Sequence, residues 1–189
     1  MTVEKSDLLI VGSGIAGCAA AMVAAEAGLS VTILTKSSDP RDATATAWAQ
    51  GGIIYKGEND SADLLADDIY KAGAELGRIE AIRQLAEKGP DYVKTYLIDK
   101  VGVPFDRAPT NELDITEEAA HSRRRIIHVA DLTGKAIENH LVDYLKTLPN
   151  IRVVTGATAV DLLTLSHNSI EPQDIYKPLT CVGVHAFIE

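Results

Sequence analysis

The chain carries near its start the stretch Asp7-Leu8-Leu9-Ile10-Val11-Gly12-Ser13-Gly14-Ile15-Ala16-Gly17. Its apolar run, residues 8–11, predicts a buried strand of a parallel sheet. The glycines that follow are spaced G-x-G-x-x-G, which is typical of the turn between a strand and a helix that binds a nucleotide. Gly12 permits the turn, Gly14 lets the backbone approach a pyrophosphate, and Gly17 lets the helix lie close to the strand. The stretch therefore predicts a βαβ-type nucleotide site.

The second strand of the predicted sheet ends without the acidic residue of a plain NAD site. Residues 30–34, Ser-Val-Thr-Ile-Leu, predict this strand. An acid about 20 residues after the glycines would bind a ribose hydroxyl. Thr35 and Lys36 stand there instead, which disfavours a plain NAD site. Lys36 could neutralise a phosphate or could simply end the strand in solvent, and the spacing leaves both alternatives open.

The charge balance excludes some classes of partner. The 189 residues are 46% hydrophobic and 24% charged, and the formal net charge is −9. Binding to nucleic acid or to an anionic membrane requires clustered Lys and Arg, and only residues 123–125, Arg-Arg-Arg, form such a run. We therefore expect one globular domain, or a piece of one, with no nucleic-acid partner and no membrane partner.

The cysteines and the uncharged N-terminal segment indicate a cytoplasmic location. Cys18 and Cys181 have neither metal-ligand spacing nor a disulfide framework, so both are predicted to be small core residues in a reducing compartment. Residues 8–25 carry no charge, but glycine and alanine dominate them and no positive flank precedes them. This segment is interpreted as a buried strand with a packed helix, not as a signal peptide or membrane span.

Three consecutive helices are predicted after the second strand. The first, residues 61–76, is capped by Ser61 or Asp60. Its acidic residues are predicted to face solvent near the helix start, and no metal site is expected from them: Asp63, Asp67 and Asp68. The second helix is predicted to end at Gly89-Pro90 and the third at Gly102.

The second half of the chain predicts further strands around one helix. Residues 121–128, His-Ser-Arg-Arg-Arg-Ile-Ile-His, form a strand-like run. A helix is predicted from Thr133 to Pro149-Asn150. Residues 151–154 then predict a third parallel strand. Residues 157–165 and 180–188 predict a hairpin or meander attached to that sheet.

Two polar segments are candidates for function. Residues 36–52 form a long loop of small side chains with two adjacent glycines, which indicates either backbone lying against a flat ligand or a flexible surface loop. Glu118 and His121 could orient a substrate ammonium or carboxylate group and move a proton, or could belong to an ordinary polar loop. Arginines 123–125 could hold dicarboxylate oxygens, although at most two would share one face of a strand. His128 is interpreted as a buried, hydrogen-bonded histidine.

The motifs taken together resemble those of the L-aspartate oxidase family, within the succinate dehydrogenase and fumarate reductase flavoprotein superfamily. The resemblance runs from Asp7 to Leu165 and rests on segments that occur in the family's order: residues 11–17, 34–36, 49–53, 118–128 and 131–134. The Ala-Gln-Gly-Gly and His-Ser-x-Arg-Arg-Ile-x-His stretches are the specific ones. The resemblance implies an α/β, Rossmann-like FAD-binding domain with a central parallel sheet and an attached antiparallel β-meander, incomplete at its C-terminus.

The resemblance also implies where FAD would lie. The pyrophosphate is expected at the turn and helix start, Gly12, Ser13, Gly14, Ile15, Ala16 and Gly17. The flavin region is expected along Ala45, Thr46, Ala47, Trp48, Ala49, Gln50, Gly51 and Gly52, with Lys36 near the ribose or phosphate and Ala159 near the adenine. Succinate dehydrogenase relatives attach the flavin through a histidine at the place of Ala45, so the FAD is expected to be non-covalent.

The implied reaction is the oxidation of L-aspartate to iminoaspartate, the first step toward quinolinate and NAD, with oxygen or fumarate as the electron acceptor. Glu118 would orient the substrate's amino group, and His121 would lie in the active site. A quinolinate synthase is a possible partner. Family members are far longer, so residues 1–189 are expected to be the N-terminal part of an FAD-binding domain, without the substrate-capping domain and the C-terminal helical domain. We expect this chain alone to bind FAD weakly and not to turn over.

Overall fold

The computed structural model describes residues 3–42 and 44–189. Ala43, which belongs to the predicted small-residue loop, lies outside the described residues. The chain divides into two compact units, residues 1–45 with 142–189 and residues 46–141.

The secondary structure alternates strands and helices along most of the chain. The strands are β1 (Leu8–Val11), β2 (Val31–Leu34), β3 (Ile53–Ile54), β4 (Ile126–Ile127), β5 (Ile151–Val154), β6 (Ala157–Thr164) and β7 (Cys181–Ile188). The helices are α1 (Ile15–Glu26), α2 (Ala45–Trp48), α3 (Ala62–Ala72), α4 (Ile79–Tyr92), α5 (Thr133–Leu145) and α6 (Leu165–Asn168). A π-helical segment, Val93–Lys100, continues α4, and Pro172–Tyr176 forms a short 3₁₀-helix.

A three-stranded parallel sheet organises the first unit, in the strand order β1-β2-β5. Leu8 pairs with Val31, and Val31 pairs in turn with Ile151. Strand β2 lies in the middle, and the side chains of Val31 and Ile33 are only 1% exposed. The predicted parallel sheet and its three strands are confirmed. The burial predicted for residues 8–11 is wrong: Leu8 to Ile10 are half-buried and Val11 is 58% exposed, because β1 lies at an edge of this sheet and only the central strand is covered by both neighbours.

The turn between β1 and α1 depends on its glycines. Gly12 has φ +106°, a conformation that side-chain-bearing residues rarely adopt, and its N–H donates to Leu34 O at 2.8 Å. Gly17 lies in the first turns of α1, where an added Cβ would overlap with Gly12 O and would come within 3.2 Å of Ile10 Cγ2. The helix therefore packs against the turn as closely as its backbone allows.

Strands β6 and β7 form an antiparallel pair, which confirms the predicted hairpin. Gly156 turns the chain at φ +61°, and Ala157 N then donates to Thr35 O at 2.9 Å. The pair is a separate two-stranded sheet. Its first residue is therefore held beside the segment that follows β2.

The two cysteines have different environments. Cys18 is fully buried in α1, as predicted, and its thiol contacts Ser13 O. Cys181 is exposed at the start of β7, so its prediction as a core residue is wrong. The β6–β7 pair leaves many of its side chains in solvent, among them Val182 and Phe187, and a residue on it need not be buried.

In the second unit, Ser61 caps α3, as predicted, by accepting a hydrogen bond from Leu64 N at 3.2 Å. The helix ends at Ala72, four residues earlier than predicted. Ala74 and Glu75 have positive φ angles of 51° and 63°, so the chain turns out of the helix there. Among the residues predicted to face solvent, Asp68 is only 8% exposed, which contradicts that prediction.

Helix α4 does not end at Gly89-Pro90, and that predicted boundary is wrong. Pro90 lies inside the helix, and the chain continues into the π-helical segment. The buried residues on both sides of it recur every three or four positions and form one stripe: Ile82, Ala86, Pro90, Val93 and Leu97. Burial of this stripe, at about 1.5–3 kcal/mol for a large side chain, offsets the roughly 3 kcal/mol cost of an interior proline. The π-helical segment ends at Lys100, and Gly102 (φ +75°) turns the chain two residues later, so the predicted end at Gly102 is correct to within two residues.

The predicted strand-like run 121–128 is strand only at Ile126 and Ile127. These two residues pair antiparallel with Ile54 and Ile53 and are almost fully buried. Residues 121–125 instead form turns and irregular backbone, because their polar side chains bind partners in several directions.

Within the described residues, no helix is both long and apolar enough to span a bilayer.

A substitution pair tests the close packing of α1. We expect Gly17→Ala to lower the free energy of unfolding by about 1–3 kcal/mol, because the new methyl group must displace a backbone carbonyl. Gly89→Ala is the matched control, since Gly89 is also helical and its Cβ would meet only the flexible side chain of Leu85 at 3.3 Å. That substitution should leave stability unchanged or raise it by up to about 1 kcal/mol. Urea denaturation followed by circular dichroism measures both, and equal effects would contradict the packing argument.

Candidate functional site

In the first unit, the turn before α1 presents mostly backbone. Ser13 is 3% exposed, and its Oγ lies 2.8 Å from Pro40 O and 3.1 Å from Thr35 Oγ1, so its side chain turns into the protein. Gly14 is the N-cap residue of α1 and has extended backbone, and no side chain caps the helix there. The first turn of the helix also carries no acidic residue. Such a helix start favours a bound anion through its amide groups and its dipole.

Lys36 lies exposed at the carboxyl end of β2, directly after the buried Thr35. Its ammonium group makes no ion pair with any residue that the structure describes. Gly156 N donates to Ser37 O at 3.1 Å, and this contact brings the start of β6 to the same segment. Ala159, the predicted adenine contact, is the third residue of β6 and is half-buried. Lys36 and Ala159 therefore belong to neighbouring segments, and their contacts with FAD stay a prediction.

The predicted flavin segment, Ala45 to Gly52, is a short helix followed by four residues without regular secondary structure. Helix α2 spans Ala45–Trp48, although the sequence predicts only a loop, and Trp48 is 78% exposed. Gly134, at the start of α5, donates its N–H to Ala49 O at 2.9 Å. A Cβ on Gly134 would overlap with Thr46 O, so this glycine allows α5 to hold the segment by its backbone.

Glu118 and Gly52 are joined directly. The N–H of Gly52 donates to Glu118 Oε1 at 2.8 Å. A side chain at Gly52 would collide with Ile126 and would lie 2.7 Å from Ile127 O, so only glycine fits beside β4. The structure therefore brings together two residues that the sequence assigns to one site from segments 66 positions apart.

A surface cavity of about 320 Å³ surrounds this contact. It is lined by Gln50, Gly52, Glu118, His128, Ala130 and Asp131. Sequence reasoning did not place His128 or Asp131 in the site, although the Asp-Leu-Thr-Gly motif that contains Asp131 was part of the resemblance. A cavity lined by two carboxylates and an imidazole can bind a small ligand that carries an ammonium group.

His128 is half-buried and held by a carboxylate, which agrees with its interpretation as a hydrogen-bonded histidine. Its Nδ1 lies 3.0 Å from Asp106 Oδ2, and its Nε2 lies 3.9 Å from Asp114 Oδ2. The carboxylate of Asp106 accepts hydrogen bonds from the N–H of Ala130 and from the His128 ring. These bonds, the first more than the second, hold the pKa of Asp106 below its usual value, although burial alone would raise it. Asp106 therefore stays ionised and orients the histidine that lines the cavity.

His121, the second predicted catalytic residue, contacts Arg125 instead of Glu118 through its ring. Its Nδ1 lies 3.1 Å from Arg125 Nη1. The Arg125 side chain is completely buried and donates two hydrogen bonds of 2.7 Å to Asp60 and one of 2.5 Å to Asp68. The buried carboxylate of Asp68 also accepts from the N–H and the hydroxyl group of Ser122, both at 2.8 Å.

The arginines 123–125 do not form a shared carboxylate site. Arg124 donates to Ile115 O, and Arg123 donates to Ser122 O at 2.7 Å, whereas Arg125 is enclosed by protein. The hypothesis that this run holds dicarboxylate oxygens is therefore wrong for Arg125. The run lacks the regular alternation of a strand, and each guanidinium finds a different partner nearby.

The balance of burial and hydrogen bonding sets the charge of Asp68. Burial alone raises the pKa of its carboxyl group, but hydrogen bonds from the Ser122 N–H, Arg125 and the Ser122 hydroxyl outweigh it and lower the pKa to about 2. The buried Arg125–Asp60–Asp68 cluster is thus fully charged at neutral pH, with carboxylates in excess over the guanidinium by one charge.

Comparison with known families assigns the fold around these residues. The model of the FAD binding domain matches residues 7–187. The chain belongs to the FAD binding domain family. This match covers β1, the glycine turn and the hairpin, and it confirms the α/β class and the cofactor, FAD, that the resemblance implies.

Two curated relatives of this FAD binding domain are named L-aspartate oxidase. The chain is 41% identical over 159 residues to the L-aspartate oxidase of Halobacterium salinarum, covering 84% of the chain and 30% of the relative. It is 39% identical over 187 residues to the L-aspartate oxidase of Nostoc sp., covering 98% of the chain and 30% of the relative. The chain thus spans about 30% of the length of these relatives, and the resemblance seen in the motifs is confirmed.

Solved structures share the fold. Mycobacterium smegmatis Sdh1 in complex with UQ1 matches 98% of the chain with a TM-score of 0.83 and 24% identity, over 31% of its own length. The FrdA chain of Escherichia coli quinol fumarate reductase matches 86% of the chain with a TM-score of 0.80 and 24% identity, over 28% of its own length. At this identity the likeness shows the fold of the FAD binding domain.

The residues of the first unit fit the diphosphate end of FAD. The buried Ser13 side chain, the glycines and the uncapped start of α1 leave backbone where a diphosphate would bind, and Lys36 supplies a positive charge nearby. In the second unit, a Cβ at Gly51 would meet only the Glu118 carboxylate, at 3.5 Å, whereas the Cβ side of Gly52 is filled by β4. The individual contacts of residues 12–17, 36, 45–52 and 159 with FAD remain a prediction.

The charged cluster of the FAD binding domain has a testable effect on stability. Asp68→Asn leaves the buried guanidinium of Arg125 with Asp60 as its remaining carboxylate, so we expect the free energy of unfolding at pH 7 to fall by about 2–3 kcal/mol. The folded pKa of Asp68, about 2, lies below its ordinary value of 3.8. The stabilisation is therefore complete above about pH 4 and disappears as the pH falls toward 2. Urea denaturation across this pH range measures the difference.

Asp67→Asn is the matched control, because Asp67 is the exposed neighbour of Asp68 on α3. Its effect should stay within about 0.5 kcal/mol at every pH. A gap between wild type and Asp68→Asn that is constant from pH 7 to pH 2 would contradict the assigned pKa.

Proposed function

We propose that this chain is part of an FAD-dependent L-aspartate oxidase, which converts L-aspartate to iminoaspartate. The proposal rests on one observation above the others. Glu118 accepts the Gly52 N–H at a cavity lined by Gln50, His128 and Asp131, in a chain about 40% identical to proteins named L-aspartate oxidase. Two electrons and two protons leave the substrate in this oxidation and pass finally to oxygen or fumarate.

The charges at the cavity suit the ammonium group of an amino acid. The carboxylate of Glu118 supports binding of the substrate ammonium group, while its bond to Gly52 keeps it in place. Asp106 accepts from Nδ1 of the neutral His128 ring, so the Nε2 lone pair remains as an acceptor that supports binding of the same ammonium group. The bound flavin supplies the redox chemistry, and these side chains supply binding and orientation.

The flavin is proposed to be held without a covalent bond. Position 45, where succinate dehydrogenase relatives would carry the linking histidine, is alanine in this chain. Alanine has no group that could form such a link. The helix start at residues 12–17, Lys36 and the segment 45–52 would then hold the cofactor entirely through hydrogen bonds, charge and packing.

Flavin reduction tests the substrate. The whole protein that contains this chain would be purified with its FAD and mixed anaerobically with L-aspartate or with succinate. We expect L-aspartate to bleach the visible flavin absorbance, and succinate to leave it unchanged. Bleaching by succinate alone would reject the oxidase and favour a fumarate reductase or succinate dehydrogenase flavoprotein. Acid precipitation of the same sample should release the yellow colour into the supernatant, and colour in the pellet would contradict non-covalent binding.

A charge-removing substitution tests the role of Glu118. Glu118→Gln keeps an acceptor oxygen for Gly52 N but removes the negative charge. We expect the KM for L-aspartate to rise about 10- to 100-fold, since a hydrogen bond to a charged group contributes about 1.5–3 kcal/mol. FAD content should not change. Glu117→Gln is the matched control, because Glu117 is exposed and adjacent, and equal kinetics of the two variants would contradict the assignment.

A further inference from the structure

The geometry around His121 determines which ring nitrogen carries its proton. A neutral imidazole has one N–H group and one lone pair, on different nitrogens. Arg125 Nη1 lies 3.1 Å from His121 Nδ1, and a guanidinium can only donate. Nδ1 must therefore be the acceptor in this contact, and the proton of the neutral ring lies on Nε2.

The guanidinium that makes this contact cannot move away from the ring. Asp60 binds two of its nitrogens and Asp68 binds the third, and the Arg125 side chain has no exposed surface. Such a fork of charged hydrogen bonds fixes the plane of the guanidinium as well as its position. Arg125 thus presents its Nη1 to the histidine from a rigid base.

The backbone that carries His121 is anchored to the same cluster. Asp68 accepts from both the N–H and the hydroxyl group of Ser122, the residue next to His121. On the other side, His121 N donates to Glu118 O at 3.2 Å, which closes a turn between the two predicted catalytic residues. Asp68 of helix α3 therefore holds both the backbone beside His121 and the guanidinium of Arg125.

We propose that Arg125 is a positioning residue that holds His121 as the neutral Nε2–H tautomer, with Asp60 and Asp68 as its support. The only lone pair of the neutral ring is then occupied by the guanidinium. His121 consequently donates a hydrogen bond through Nε2, to a carboxylate or carbonyl oxygen of a ligand, and does not act as a base. This inference deepens the proposed function, because it assigns His121 to orienting the substrate or cofactor instead of taking the substrate's proton.

Nitrogen-15 NMR of the imidazole rings tests the tautomer directly and needs neither flavin reduction nor turnover. The probe is the whole protein, uniformly labelled with nitrogen-15, at pH 7, and the His121 signals are identified by their loss in His121→Gln. We expect the Nδ1 shift of His121 to be that of an unprotonated nitrogen and the Nε2 shift to be that of a protonated one. A protonated Nδ1, in either the other tautomer or the imidazolium, would overturn the proposal.

A pair of matched variants separates positioning from general folding. Arg125→Lys removes the fork, so the two His121 shifts should move toward the average of exchanging tautomers. Arg124→Lys makes the same change at the exposed neighbour, which binds Ile115 O, and should leave both shifts unchanged. Unchanged shifts in a folded Arg125→Lys would overturn the role of Arg125. If that variant does not fold, the wild-type spectrum still decides the tautomer, and failure of L-aspartate oxidation would leave this result unaffected.

Discussion

Both units depend on positions where backbone approaches backbone too closely for any side chain. A Cβ at Gly17 would overlap with Gly12 O, one at Gly134 would overlap with Thr46 O, and one at Gly52 would collide with Ile126. Close packing of this kind tolerates no added methyl group without movement of main-chain atoms. The segments that these glycines hold in place are the turn before α1 and the stretch 45–52, which are the segments predicted to bind FAD. The glycines that this packing requires therefore lie in the segments where FAD is predicted to bind.

Charge burial sets the second constraint, and it acts on the loop that precedes β4. A guanidinium as completely enclosed as that of Arg125 is tolerated only when its hydrogen bonds are satisfied by carboxylates that stay ionised. Asp60, just before α3, and Asp68, within it, meet this requirement. The cost of desolvating three charges is large and offsets much of their mutual attraction. The cluster therefore contributes more to holding its neighbours in position than to the free energy of unfolding. It fixes Ser122 and His121, next to a predicted catalytic glutamate.

Sequence reasoning predicted the parallel sheet, the glycine turn and the β6–β7 hairpin because each is a local pattern of apolar residues and glycine. It assigned Glu118 to the substrate and the Gly-Gly segment to the flavin only through the resemblance, and nothing in their spacing indicates that the two are in contact. The errors have a common cause in long-range contacts. Asp68 looks like a solvated helix residue until Arg125, 57 positions away, reaches it. Pro90 looks like a helix end until its place in a buried stripe is known.

The two histidines that bracket the arginine run illustrate how such contacts divide chemical roles. In His128, Nδ1 faces the ionised carboxylate of Asp106, so the neutral ring places its proton on Nδ1 and its lone pair on Nε2. In His121, Nδ1 faces a guanidinium, which reverses the arrangement. The two histidines, seven positions apart, thus differ at Nε2: His128 offers an acceptor there and His121 offers a donor. A sequence motif records that both are histidine, and only the partner of each Nδ1 decides which one can accept a proton.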